Sequence, residues 1–377
     1  KRIRYSQKII RLVLLAATVI LLLYFLRTPE KLPDISWLST KNMTVFLRPE
    51  ERTVIREPSS CSVSSDTSLL VAVFSAPGHT LARTTIRRTW GKKMTEYSGV
   101  KLVFMLGQDS VHHNTLLLEA DDNHDMIIED FHDTYLNLTL KTTFLLKWVR
   151  DNCTRVKYVF KVDDDVFVNP DRLWSSLKTS PFYSLTVLSE TPGNREREQI
   201  PRQVTYSFIG IDEHLALQVK AGVVSKFSFT CIDRDPESKY FVHPNIYPNT
   251  SFPPFITGAS GYVFTGSLVP LLFSCALRTP FMNMEDVFLT GLCGSQQLNL
   301  RLSHNSEFIW RQQIPVIRSH SCFYKNLITV HGLSPKQLEE VWSWNKDSEP
   351  CNSMLFFLLT YICRLIEWSV EFWGGSL

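Results

Sequence analysis

The chain has 377 residues, 44% of them hydrophobic, enough for one large domain or two modest ones around a sizeable core. Its net charge of +3 is crowded at the N-terminus in Lys1, Arg2, Arg4, Lys8 and Arg11; the remainder is near neutral, so no nucleic-acid-binding surface is indicated. The eight cysteines (61, 153, 231, 275, 293, 322, 351 and 363) include no CxxC pair, and no HExxH occurs, which argues against structural zinc and a zincin site. An even count is compatible with disulfides in an oxidising lumen, with no pairing assigned.

Residues 1–11 read as a cytoplasmic tail. Leu12 to Leu26 is an uncharged apolar run of 15 residues, short of the roughly 20 of an average membrane span. Arg11 can snorkel to the interface, and thinner membranes accept shorter spans. A cleaved signal peptide is the rival reading, but no small-x-small site follows. The basic residues before the run put the N-terminus in the cytosol and the bulk in the lumen, so 12–26 is read as a signal anchor. Residues 27–67, with Pro29, Pro33, Pro49, Pro58 and many serines, show no sustained period and read as a luminal stem. The sequons at Asn42, Asn137, Asn152 and Asn249 fit luminal exposure as N-glycosylation sites, although Asn137 sits at a predicted helix start and is open to a structural role.

A globular domain is expected over 68–345. Ser68 to Phe74 is a hydrophobic run suited to a central parallel strand. The helix that follows carries Arg83 and Arg87, four apart and so on one face; they suit an anionic ligand or, alternatively, a solvated basic face. Val100 to Leu106 is a second strand, Met126 to Glu129 a third, and Leu136 to Arg150 a helix. Strand and helix alternating at this spacing predict a doubly wound α/β half.

The fourth strand, Tyr158 to Val162, ends on Asp163, Asp164 and Asp165. Three adjacent carboxylates repel one another, and a solvated acidic turn is one reading. The apolar residues on both sides favour the other: an oxygen-ligand site for a hard divalent ion such as Mg²⁺ or Mn²⁺, holding a phosphorylated ligand at a strand end. A calcium EF-hand does not fit, because the Gly and Glu positions of that loop are Val168 and Trp174. A metal flanked by two arginines is what a diphosphate requires. Further on, Glu285-Asp286 precedes the apolar Val287-Phe288-Leu289, so these acids should open a core helix, where N-terminal charge is favourable in any case.

Several segments in order, Arg83–Gly91, Val103–Gly107, Asp130–Thr142, Lys161–Asn169, Arg234–Tyr240, Tyr247 to Val263 and Glu285–Phe288, resemble the β-1,3-glycosyltransferase family, which includes β-1,3-galactosyltransferases and β-1,3-N-acetylglucosaminyltransferases. The resemblance covers roughly residues 68 to 345 and implies a type II Golgi membrane enzyme with a GT-A fold, a Rossmann-like mixed sheet flanked by helices. It implies inverting transfer of a hexose, galactose first and N-acetylglucosamine or N-acetylgalactosamine as alternatives. The donor would be a UDP-sugar, the cofactor Mn²⁺, and the acceptor a glycan on glycolipid or glycoprotein. It implies Asp165 as direct metal ligand, with Asp163 facing metal and nucleotide, Asp164 assisting, and His331 (His320 as fallback) completing the metal site. Arg83 and Arg87 would hold the nucleotide. Asp286 would be the base, Glu285 would orient the acceptor, and Gly258, Gly261 and Tyr262 would wall the sugars. Asp133 and Lys141 line the nucleotide side or pair with each other. Two departures stand out: a charged loop within 190–232 that reads as an insertion, and an apolar tail over 346–377 whose uncharged run, Met354 to Cys363, is too short to span. The insertion leaves open a luminal binding protein without turnover, and a metal-dependent phosphohydrolase is a weaker alternative.

Overall fold

Six consecutive apolar residues, Leu69–Phe74, are all buried and set the centre of the fold. The computed structural model describes residues 42–58, 61, 67–179, 208–210, 232–236, 238–300, 302–305, 307–309 and 321–346. The expected tail and anchor, most of the 190–232 loop, His320 and all but the first residue of the 346–377 tail lie outside the described residues. Among the described residues no helix is long and apolar enough to cross a membrane.

In chain order the first strands are β1 (Val54–Arg56) and β2 (Leu69–Phe74), followed by helices α1 (Thr80–Arg88) and α2 (Trp90–Thr95). Next come β3 (Val100–Gln108), α3 (His113–Asn123), β4 (Met126–His132), α4 (Leu138–Asn152) and β5 (Tyr158–Asp163). They are followed by β6 (Phe167–Val168), α5 (Pro170–Thr179), β7 (Phe208–Gly210), β8 (Tyr262–Thr265) and α6 (Val269–Arg278). A wide, π-type helix α7 (Val287–Gln297), β9 (Leu302–His304), β10 (Phe308–Ile309), α8 (Ser321–Lys325), β11 (Thr329–Val330) and α9 (Pro335–Lys346) complete the described fold.

Eight strands form one mixed sheet in the order β1-β4-β3-β2-β5-β8-β7-β9. β4, β3, β2 and β5 run parallel, while β1 and β8 join them antiparallel. The pleat sends alternate residues of β2 to opposite faces. Leu70, Ala72 and Phe74 meet Phe144, Leu145 and Trp148 of α4; Leu69, Val71 and Val73 share the other core with Ile86 and Trp90. Trp148 and Trp90 are buried on these two faces. Each contributes roughly 4–6 kcal/mol of transfer free energy as an upper bound. A strand covered on both faces reads as one unbroken hydrophobic run, which is why β2 is legible.

The boundary expected at residue 68 is too late. Met43 and Leu47 are fully buried in the α4–α6 core, Phe46 packs on Phe281 at 5.8 Å, and β1 extends the sheet at β4. Glu57 accepts from the Trp148 indole at 2.9 Å, and Cys61 is disulfide-bonded to Cys153. Residues 42–57 therefore belong to the domain and are not free stem. A three-residue, half-buried strand carries too few residues to show a period.

Candidate active site

The register of β5 on β2 places Asp163 opposite Phe74 at the carboxyl end of the sheet, where open α/β folds bind ligands. The chain then turns through Asp164 and Asp165 into β6. β6 pairs antiparallel with β11, Phe167 facing Val330. That small ladder brings His331 back to the triplet: its Nε2 lies 3.3 Å from an Asp165 oxygen. The Leu333 N–H donates to the Asp165 carbonyl at 2.9 Å. The other Asp165 carboxylate oxygen is buried without a hydrogen-bond partner among the described residues. Asp164, in contrast, is held by His79 Nδ1 at 2.9 Å, and this bond raises the His79 pKa.

The second half of the site comes from the segment between β8 and α7. Lys161, 2% exposed on β5, sends its Nζ to Asp163 at 2.7 Å and to Glu285 at 3.6 Å. Burial alone lowers a lysine pKa, but Asp163 and Glu285 outweigh it and keep the ammonium charged. Glu285 also accepts from the Tyr262 hydroxyl. Asp286 is half-buried and accepts from the N–H groups of Gly258 (3.0 Å) and Val287 (2.9 Å). Burial pushes Asp163, Glu285 and Asp286 all upward, against the pull of Lys161. For Asp286 the two backbone donors oppose the shift more than Lys161 does.

Two glycines make this close approach possible. Gly261 has φ +82°, and a Cβ there would sit 2.7 Å from the Lys161 carbonyl oxygen. A Cβ on Gly258 would stand 3.0 Å from a Glu285 carboxylate oxygen. The expected wall of Gly258, Gly261 and Tyr262 is thus the packing surface that holds the acids.

Arg83 and Arg87 do not face this cluster. Arg83 is fully buried and donates to both oxygens of Glu119 (2.8 and 2.6 Å), to Ser75 Oγ, to Thr80 Oγ1 and to the carbonyls of Ala76 and Pro77. Those bonds occupy its guanidinium donors. Arg87 forks onto Asp125 through two 2.8 Å bonds and reaches Glu119 at 2.7 Å. The nucleotide-binding role expected of the pair is corrected: Arg83 braces the 75–80 turn after β2, and Arg87 ties α1 to Glu119 and Asp125. Asp133 and Lys141 pair with each other at 2.7 Å, both buried. Lys141 also donates to the Ser75 carbonyl at 2.8 Å, and the Gly107 N–H donates to Asp133 at 2.8 Å.

Among the described residues, no three His, Cys, Asp or Glu side chains converge into a complete metal cage. The donor set still fits a divalent ion. Asp165 and His331 offer an oxygen and a nitrogen side by side, one Asp165 oxygen is otherwise orphaned, and Asp163 lies close enough to feel the Asp165 charge. Ions that bind nucleotides commonly use one or two carboxylates and take their remaining ligands from phosphates and water.

Lys161 and His79 are the site residues that the sequence left unassigned. A lysine inside the run Tyr158-Val159-Phe160-Lys161-Val162 is the readable signal, because a strand buried on both faces tolerates a cation only beside partners. His79 carries no such signal, since its partner lies 85 positions downstream.

The four sequons differ. Asn42 and Asn249 are exposed. Asn137 donates its amide to the His132 carbonyl at 2.8 Å, and the hydroxyl of its sequon threonine, Thr139, is buried against the Met282 carbonyl. Asn152 donates to the Trp148 carbonyl beside the disulfide-bonded Cys153. The structure therefore sets Asn137 apart as a helix-start residue.

Residues 81–195 and 214–305 match the galactosyltransferase family. β-1,3-Galactosyltransferase 1 of Mus musculus is 31% identical over 295 residues, covering 77% of this chain and 77% of that protein. β-1,3-Galactosyltransferase 4 of Rattus norvegicus is 30% identical over 331 residues, 84% and 85% of the two chains. β-1,3-Galactosyltransferase 2 of Homo sapiens is 29% identical over 299 residues, 77% and 61% of the two.

Proposed function

The chain belongs to the galactosyltransferase family, and on that premise we propose that it transfers galactose from UDP-galactose to a glycan hydroxyl, forming a β-1,3 linkage with inversion. The observation that carries this reading is Asp286: a half-buried carboxylate held by two backbone N–H groups, beside a lysine-bridged acid cluster at the carboxyl end of β5.

Inversion needs one carboxylate to take the proton from the acceptor hydroxyl, opposite the leaving group. Glu285 is 6% exposed and already engaged by Tyr262 and Lys161, so it positions rather than abstracts. Asp286 is half-buried and held by backbone N–H groups, and burial moves its pKa upward, toward where a general base works best. Lys161 links Asp163 to Glu285, so the donor side and the acceptor side share one buried cation. Asp165 and His331, with Asp163, would hold Mn²⁺. When bound, that ion supplies Lewis-acid stabilisation of the charge developing on the diphosphate. His79 fixes Asp164 and so the shape of the turn.

We place the domain on the luminal face of the Golgi membrane, held as a single-pass type II protein by the apolar run at 12–26. The Cys61–Cys153 disulfide supports an oxidising compartment. Asn42 and Asn249 are the N-glycosylation sites that this topology favours. The test is a transfer assay with the full-length protein in detergent, offering UDP-galactose, UDP-N-acetylglucosamine and UDP-N-acetylgalactosamine with β-galactoside and β-N-acetylglucosaminide acceptors. Transfer from UDP-galactose to a 3-hydroxyl, abolished by chelation, is expected. Absence of transfer from any donor, or full activity under chelation, contradicts the reading.

A further inference from the structure

Two exposed aromatic rings rest on the segment that leads into the acid cluster. Tyr135 is 44% exposed and Tyr240 46%. Their ring centroids are 6.4 Å apart at 72°, edge to face. The Lys239 ammonium sits over both, 4.7 Å from the Tyr240 ring and 5.9 Å from the Tyr135 ring.

Neither ring is on a loose loop. Tyr135 opens the 3₁₀ turn Tyr135–Asn137, closed by the Asn137 amide on the His132 carbonyl. The loop that bears Lys239 and Tyr240 is stapled by Arg234, which donates to the carbonyls of Val242, Tyr247 and Asn249. Both supports converge on one segment. Thr139, at the start of α4, donates to the Met282 carbonyl at 2.6 Å, and Asn283 donates its amide to the Phe241 carbonyl at 3.0 Å. The next residues along the chain include Glu285 and Asp286. Burial raises the pKa of the Tyr135 phenol, and Asp286, Asp163 and Glu285 raise it further, which places the hydroxyl within electrostatic reach of those carboxylates.

We propose that Tyr135 and Tyr240 form a rigid shelf on which a pyranose ring of the acceptor glycan stacks, with Lys239 donating to its hydroxyl rim. A pyranose has one face of C–H bonds and an edge of hydroxyls; an exposed aromatic face beside an ammonium complements both. The acceptor ring, not the donor, is assigned here because the shelf is built on the segment that carries Asp286, the group that must meet the acceptor hydroxyl. This rests on reading Asp286 as the base of a glycosyl transfer.

The test uses the full chain in detergent with methyl β-galactopyranoside and methyl β-N-acetylglucosaminide as probes. Saturation-transfer NMR reads sugar binding without turnover, and steady-state kinetics with UDP-galactose reads the reaction. At least one glycoside is expected to bind the wild type through its ring C–H protons. Tyr135→Ala and Tyr240→Ala should each weaken that binding about tenfold and raise the acceptor KM by a similar factor, with the donor KM unmoved. Tyr135→Phe and Tyr240→Phe should bind as the wild type does. Failure of both glycosides to bind, or undiminished binding by both alanine variants, overturns the shelf. Binding that depends on the tyrosines in a wild type without turnover sustains the shelf and removes the transferase reading instead.

Discussion

Two ionic clusters flank the same sheet, and they are built to opposite ends. Between α1 and α3, Arg83 and Arg87 face Glu119 and Asp125: two cations, two anions, with the Arg83 donors all engaged. Between β5 and α7, the Lys161 ammonium stands among Asp163, Glu285 and Asp286, and among the described residues one Asp165 oxygen has no hydrogen-bond partner. A balanced, saturated cluster has nothing left to offer a ligand and serves as scaffold. An unbalanced one, with excess carboxylate and free lone pairs, is stable only if something cationic or proton-bearing completes it. The contrast turns on pairing rather than on residue type.

The contrast is broken most severely at Asp286. Asp286→Asn should lower kcat by about 10²–10⁴, as expected for loss of a general base, with little change in the thermal midpoint. Normal turnover in that variant would move the base elsewhere. On the closed side the effect should fall on stability instead. Arg83→Met leaves Glu119 buried beside a lost partner and should cost about 3–5 kcal/mol of unfolding free energy in denaturant titration. A well-folded variant that fails only in UDP binding would show that Arg83 belongs to the open side after all.

Another buried carboxylate sharpens the rule, because among the described residues no cation bonds it directly. Glu129 on β4 is fully buried and accepts from Thr53 at 2.6 Å, while its other oxygen has no hydrogen-bond partner among the described residues. Burial lifts its pKa from 4.5 to about 7, with Lys147 offsetting part of the shift. The folded state therefore holds this proton more tightly than the unfolded chain. Stability from this group is complete below pH 4.5 and is lost as pH rises through about 7, a span worth roughly 3 kcal/mol. Glu129→Gln should remove that slope and leave the variant more stable than the wild type at pH 8, read from thermal melts across pH. The smallest effect belongs to the surface. Asn249→Gln should change stability by no more than about 0.5 kcal/mol and, in protein from a secretory host, reduce mass by one glycan.

Part of this was legible in the chain itself. β2 shows as an unbroken apolar run, the aspartate triplet falls at a strand end, and Glu285-Asp286 opens a core helix because local pattern dictates each. Lys161 is readable in principle, since a lysine inside such a strand demands a counter-ion. The role of Arg83 and Arg87 was not readable. Their spacing on one helix face is real, but what neutralises them comes from Glu119 and Asp125, 36 and 38 positions after Arg83 and Arg87 respectively. Long-range pairing of that kind leaves no local pattern. The same holds for β1, which owes its place to β4, and for Tyr135 and Tyr240, which meet where Arg234 and Asn283 hold the loop that bears Tyr240.

The open and closed clusters are separated most directly by calorimetric titration of UDP in the presence and absence of Mn²⁺ on the wild type, Asp165→Ala and Arg87→Ala. If the β5–α7 cluster is the site, Asp165→Ala loses the Mn²⁺-dependent part of UDP binding by tenfold or more, the equivalent of about 1.4 kcal/mol. Arg87→Ala keeps it. Retention of Mn²⁺-dependent binding in Asp165→Ala with its loss in Arg87→Ala would place the nucleotide against the arginines and contradict the account.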